Sequence, residues 1–260
     1  LLEQGSVSYL GYAFRLFDLP LGVFGVAVST VALPRAAREA AIEDREKVRE
    51  TLSLSLRLVL LLTIPASVLL VVLASPIVSI LYERGKFGPA DTLATSQALA
   101  LYCIGLFAVA SVKVVASIFY SLKDSRTPMK VSFVSVGINI VFSLLLLRSL
   151  GFRALALAAS IAAIFNFGLL LWLLKRTMGR IDGARIAKSL GRTVLGCVPM
   201  VVGVFLLSSW FEANLLQGGL TMALLHIAVS LTLGLVIFVL FSYLLGAEEV
   251  RLLVRRVLKK

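Results

Sequence analysis

Residues 5–33 read GSVSYLGYAFRLFDLPLGVFGVAVSTVAL. The stretch is apolar and long enough to cross the roughly 30 Å of bilayer hydrocarbon as a helix, yet it carries Arg15 and Asp18 inside its length. A guanidinium at mid-membrane costs from about 3 to more than 10 kcal/mol depending on the reference state, so such a residue is seldom left facing lipid. At 3.6 residues per turn Ser8, Tyr12, Arg15 and Asp18 fall along one side as a polar stripe. The opposite side offers Leu10, Ala13, Phe14 and Phe17 for lipid or helix packing. Pro20 removes a backbone donor and favours a kink, while Gly22 and Gly25 allow close approach or bending. The stretch reads as a jointed wall of a polar cavity.

The rest of the chain has the same character. Of 260 residues, 59% are hydrophobic and 15% charged, and the mean hydropathy is +0.99. No soluble domain needs so much apolar surface. Runs of membrane-crossing length recur at about 7–33, 54–82, 92–121, 128–147, 154–174, 189–211 and 221–245, which predicts an all-α polytopic membrane protein with seven transmembrane helices. A turn is expected near Ser75-Pro76, an N-cap at Asp91-Thr92, and Pro128 at the first position of the fourth span. The chain opens almost directly into a span without an initiator Met or a signal peptide, and it reads as the C-terminal part of something larger.

The net charge of +12 has an explanation that needs no nucleic acid. Eighteen of the 26 basic residues fall in the connections after the first, third and fifth spans and after the last, against four (Arg84, Lys86, Arg148, Arg153) on the other side. The positive-inside rule then puts the C-terminus in the cytoplasm and runs the first span from outside to inside. The remaining four bases are Arg15, Arg57, Lys113 and Arg192. Arg57 and Arg192 lie near cytoplasmic helix starts and read as snorkelling side chains. Pro34 to Glu50, with Glu43 and Lys47 at i, i+4, reads as a solvated cytoplasmic helix. The tail from Glu248 to Lys260 places Val250, Leu253, Val254, Val257 and Leu258 on one face, the pattern of an interfacial helix on anionic lipid.

Chemistry-bearing residues are few. Lys113 is the second intramembrane charge, about 13 Å from the cytoplasmic end of its span by helix rise; snorkelling and the lining of a substrate cavity are equally weighted readings. Arg15 has the stronger claim to function, because Ser8, Tyr12 and Asp18 share its face. An arginine in a water-filled cavity of low dielectric binds phosphate or carboxylate bidentately, so an anionic ligand is implied, with Asp18 placed to hold the guanidinium. Paired carboxylates are missing from the spans, as are a Ser/His/Asp set, metal-ligand spacing and a Gly-rich phosphate loop before a helix, which speaks against an enzyme, and no cofactor is implied. Cys103 and Cys197 read as small packing residues, and the lone His226 as structural or interfacial.

GSVSYLGYAFRLFDLPLGVFGVAVSTVALPRAAREA at Gly5 to Ala40 closely resembles the eighth transmembrane helix and following loop of the MurJ (MviN-like) lipid II flippases, in the multidrug/oligosaccharidyl-lipid/polysaccharide exporter superfamily. The likeness continues through YERGKF at 82–87, VKVVASIFYSLKDSRTPMK at 112–130 and ALALAAS at 154–160. Beyond about residue 180 only hydropathy supports it. The resemblance implies spans eight to fourteen of a fourteen-span, two-lobe transporter of the bacterial inner membrane. Residues 1–180 would be lobe helices, 181–246 two extra helices forming a groove for a lipid tail, and 247–260 a basic amphipathic tail.

It further implies alternating-access translocation of lipid II, the undecaprenyl-pyrophosphate-linked peptidoglycan precursor, with Arg15 gripping the pyrophosphate and Lys113 matching the family's intramembrane lysine. An N-terminal lobe would be the missing partner, without which no transport is expected. Two departures stand out. Phe14 occupies the place of an Asp that commonly precedes the Arg, so a local salt bridge must come from Asp18. Some members bind sodium through an Asn and an Asp one turn apart; here Asn139 is followed at i+4 by Ser143, which speaks against sodium coupling and leaves the membrane potential as an alternative drive. Two other readings are an exporter of a different polyprenyl-linked glycan or amphipathic substrate, and a lipid-binding scaffold that moves nothing.

Overall fold

The computed structural model describes residues 5–179, 181–214 and 219–251. The described residues form helices throughout, and seven continuous helical stretches among them are long and apolar enough to cross a membrane. The first joins α1 (Ser6–Pro20), a π-helical segment (Leu21–Val26) and α2 (Ala27–Ala41). Pro20 cannot donate to the turn before it, and the expected kink takes the form of a widened π turn that absorbs the missing bond without breaking the helix. This span runs eight residues beyond the expected end at residue 33.

The second run is α3 (Arg45–Val72) and α4 (Ala74–Tyr82), interrupted at Leu73. Pro76 thus falls in the first turn of α4, where its missing donor is harmless. The third is α5 (Pro89–Cys103) and α6 (Leu106–Ser121). Here Asp91 is not the cap but the third helical residue, and its carboxylate accepts the Gly88 N–H at 2.8 Å. α7 (Arg126–Leu150) starts two residues before Pro128, with Asp124 accepting the Arg126 and Thr127 N–H groups at 3.1 and 3.0 Å. α8 (Arg153–Met178), α9 (Gly183–Asn214) and α10 (Gly219–Leu244) complete the set.

Two cores hold these helices. The larger joins α1, α3, α5, α6 and α8 around side chains such as Leu52, Leu56, Leu99, Ile118 and Phe119. Small residues let the helices meet closely, as packing between membrane helices requires. A Cβ on Gly105 would lie 2.7 Å from the Ser160 Cα, and the Ser160 hydroxyl donates to the Leu101 carbonyl at 2.6 Å. The break between α5 and α6 is therefore plugged by a serine of α8. The smaller core joins α3, α9 and α10 through Leu69, Leu73, Met200, Val204 and Phe238. Cys103 and Cys197 are buried in these cores as free thiols. His226 is buried and stacks on Phe211, ring centroids 4.9 Å apart.

Three readings of charge need correction. Arg57 does not snorkel: it is buried, and its Nη1 lies 2.7 Å from Glu249 Oε1 and 3.0 Å from Glu248 Oε2. Arg192 donates to the Gly246 carbonyl at 2.7 Å. Both side chains are spent on the start of the tail, where Glu249 and Val250 are buried, so this part of the tail docks on protein rather than on lipid. Leu253, Val254, Val257 and Leu258 lie outside the described residues. Pro34 to Glu50 is not one solvated helix either. α2 ends at Ala41, Glu43 takes a positive φ of 56°, and Lys47 pairs with Asp44 at 2.8 Å instead of with Glu43. Glu39 is buried, accepting from Arg35 at 3.0 Å and from the Thr51 hydroxyl at 2.7 Å.

Candidate functional site

The polar stripe of α1 is open. Ser8, Arg15 and Asp18 are exposed and Tyr12 half-buried, whereas Ala13, Leu16 and Phe17 turn into the core. Phe14, expected to face lipid or pack on a helix, is 48% exposed and packs on the rings of Phe17 and Tyr102. Arg15 lies over the Tyr12 ring, Cζ 6.0 Å from its centroid. Tyr12 in turn packs on Tyr82 (4.5 Å between centroids) and edge-on to Phe87 (5.7 Å). Such aromatic faces attract cations and orient them. Among the described residues Arg15 forms no ion pair, and the expected Arg15 to Asp18 tie is not made.

Lys113 sits on the partly exposed face of α6, with Val109, Val112, Ala116 and Tyr120, and it too forms no ion pair among the described residues. The structure does not bring Lys113 to Arg15. A Cβ on Gly25 would meet Ala110 at 3.3 Å, which fixes the depth of the π segment against α6. Arg15 is ten residues before Gly25 and Lys113 three after Ala110 on helices that run the same way. At 1.5 Å per residue the two cations are separated by about 20 Å along the helix direction. They occupy different levels of one wall, Lys113 nearer the end that carries the basic connections.

Two cavities flank α1. One, of about 560 Å³, is almost wholly apolar and runs between α1 and the π segment, α3 and α10, with Leu16, Leu19, Pro20, Leu62, Leu235 and Val239 in its lining. Of the last two spans, α10 contributes to its lining. The other, of about 610 Å³, is polar and lies where α1 begins, bounded by Ser8, Tyr12 and the loop at 83–88. α1 thus presents polar residues to one cavity and apolar residues to the other. A third, smaller cleft between α7 and α8 holds Asn139 together with Asn166, while Ser143 is not in its lining. Among the described residues no group of three or more His, Cys, Asp or Glu side chains converges. Tyr82, Phe87 and Asn166 went unremarked as single residues in the sequence, although YERGKF had marked the segment that supplies the first two.

The comparisons with known proteins decide the family. The model of the family described as lipid II flippase MurJ matches residues 1–226. The chain belongs to the lipid II flippase MurJ family. A probable lipid II flippase MurJ of Rickettsia prowazekii is 32% identical over 243 residues, covering 93% of this chain and 48% of that protein. The corresponding protein of Thermotoga maritima is 33% identical over 255 residues, 98% of this chain and 49% of its own length. A solved structure of lipid II flippase MurJ in an inward closed conformation superposes with a TM-score of 0.75 at 28% identity, over 93% of this chain and 47% of that one. The chain spans about half the length of the curated relatives it matches. The MurJ match reaches well past residue 180, where the sequence alone had offered only hydropathy, and takes in α9 and the start of α10.

Proposed function

We propose that this chain supplies the C-terminal half of a lipid II flippase, a transporter rather than an enzyme, which moves the pyrophosphate-linked peptidoglycan precursor from the cytoplasmic to the periplasmic leaflet of the bacterial inner membrane by alternating access. The observation that carries the reading is the division of α1. Its Ser8 and Tyr12 line a polar cavity and Arg15 is exposed one turn beyond them, while Leu16, Leu19 and Pro20 of the same helix line an apolar groove. A ligand served by both has a charged head and a hydrocarbon tail. Arg15, free of acidic partners, holds the pyrophosphate through charge-assisted bonds, with Tyr12 and Ser8 beside it. Asp18 lies one turn on and aids release. Lys113, about 20 Å deeper by helix rise, meets the headgroup at an earlier level of the path.

In this reading residues 1–180 are lobe helices, 181–246 two further helices whose second member closes the tail groove, and 247–260 a basic tail. The C-terminus is cytoplasmic, as the distribution of bases requires, and an N-terminal lobe supplies the facing wall. The test is native mass spectrometry of the complete transporter with lipid II, wild type beside Arg15→Ala. Specific binding that the substitution weakens about 10- to 100-fold is expected, the loss that goes with 1.5–3 kcal/mol of charge-assisted contact. Equal binding in both would remove Arg15 from the headgroup seat. Binding of another polyprenyl-linked glycan in preference to lipid II would replace the cargo.

A further inference from the structure

We propose that the 610 Å³ pocket between the start of α1 and the 83–88 loop is a second seat for the phosphate-bearing headgroup of a lipid, at the end of the path opposite the basic connections. This deepens the transport reading and rests on it. The argument begins with how the loop distributes its charges. Around the connection from α2 to α3 neighbouring charges neutralise one another: Arg35 with Glu39, Lys47 with Asp44 and Arg49 with Glu46. The 83–91 segment carries two bases and two acids, Arg84, Lys86, Glu83 and Asp91, and none of them forms an ion pair among the described residues.

Its acids are instead taken up by neutral donors. Glu83 accepts the Thr92 hydroxyl at 2.7 Å, and Asp91 accepts the Gly88 N–H at 2.8 Å and the Tyr9 hydroxyl. The guanidinium of Arg84 donates to the neutral Leu81 carbonyl and forms no ion pair among the described residues. Lys86 has no acidic partner among the described residues. Both bases line the pocket, together with Asp91, Tyr12 and Ser8. With two bases against the single Asp91 carboxylate in its lining, this concave site carries a net positive charge and attracts an anion, and phosphate oxygens suit its donors. The aromatic shelf of Tyr12, Tyr82 and Phe87 joins the pocket to Arg15, so a headgroup leaving Arg15 passes over rings and not over hydrocarbon.

The ligand chemistry is a phosphate ester on a lipid, and its source is either the transported diphosphate or an ordinary anionic phospholipid. Leu81 lines the pocket and is 42% exposed, whereas Cys103 and Cys197 are buried. A Leu81→Cys variant of the complete transporter, in proteoliposomes of neutral lipid, therefore reports on the pocket through its rate of labelling by a membrane-impermeant thiol reagent. Added lipid II is expected to slow labelling about tenfold, and Arg84→Gln with Lys86→Gln to remove that protection, the scale set by loss of charge-assisted contacts. Protection by phosphatidylglycerol equal to that by lipid II would support the site and assign it to bulk lipid. Unchanged labelling with either lipid overturns the inference. Lipid II binding measured on the same preparation separates the two failures: if binding is intact, the pocket alone is wrong, and if binding is lost, the transport reading falls as well.

Discussion

Arg57 and Arg15 are both guanidinium groups set into membrane-length helices, and their surroundings differ in every respect. Arg57 is buried, touches two carboxylates of the tail and sits in a cluster completed by Arg192 on the Gly246 carbonyl. Arg15 is exposed on the open side of α1, with a tyrosine ring beneath it and no acid paired to it. A charge that is matched inside the protein is part of how the protein holds together. One that is left unmatched in a membrane helix is held ready for something that arrives. The two sites differ in what has been withheld from them, and the same substitution should therefore have opposite consequences at each.

The largest effect is expected at the matched site. Arg57→Ala leaves Glu249 buried without its cation, and removing one partner of a buried pair costs about 3–5 kcal/mol. Thermal unfolding of the purified protein should show a large loss for Arg57→Ala, with α9, α10 and the tail loosened from α3. Arg15→Ala should unfold within about 0.5 kcal/mol of wild type, as exposed substitutions do. Equal stability of the two variants would erase the distinction drawn between them.

Next in size is the effect on ligand. Arg15→Lys keeps the charge but not the planar fork, so it should recover only part of the lipid II binding lost in Arg15→Ala, about tenfold below wild type by the value of a bidentate contact. Full recovery by lysine would show that Arg15 acts as a point charge only, and would sharpen the contrast with Arg57, whose Nη1 alone serves both of its carboxylates.

What the sequence disclosed follows the same division. Seven apolar runs and the amphipathic face of residues 8–18 were legible because membrane length and helical period are local properties. The unmatched charges were legible too, since nothing near Arg15 in the chain offers a partner except Asp18. The matched ones were not. Arg57 meets Glu248 across 191 positions of sequence, and a buried pair of that span looks from the sequence like a snorkelling arginine beside an amphipathic tail. The boundaries failed for a related reason. Asp91 and Pro128 each carry the signature of a helix start, but the start itself moved by two residues once Gly88 and Asp124 supplied the capping geometry. The apolar cavity beside α1 was not legible either, because its lining comes from α1, α3 and α10, which are far apart in the chain.

The smallest predicted effect concerns Glu248, the outer member of the Arg57 cluster. The hydrogen bond from Arg57 holds its carboxyl below the ordinary glutamate value of 4.5 against the opposing pull of desolvation, with the charges of Arg57, Arg185 and Arg192 adding to the lowering. A carboxylate with a lowered folded-state pKa contributes stability that is fully present above its unfolded value and is lost as the pH falls through the folded one. Its side chain is 56% exposed, so water screens the pair and the contribution stays at about 0.2–1 kcal/mol. Wild type should therefore exceed Glu248→Gln by that margin at neutral pH, and the gap should close on acidification below about 4.5, the unfolded value for glutamate. A gap that widens with acid would mean that the protonated form is the one the cluster prefers. Glu248 would then belong with the unmatched groups, and Arg57 would be held by Glu249 alone.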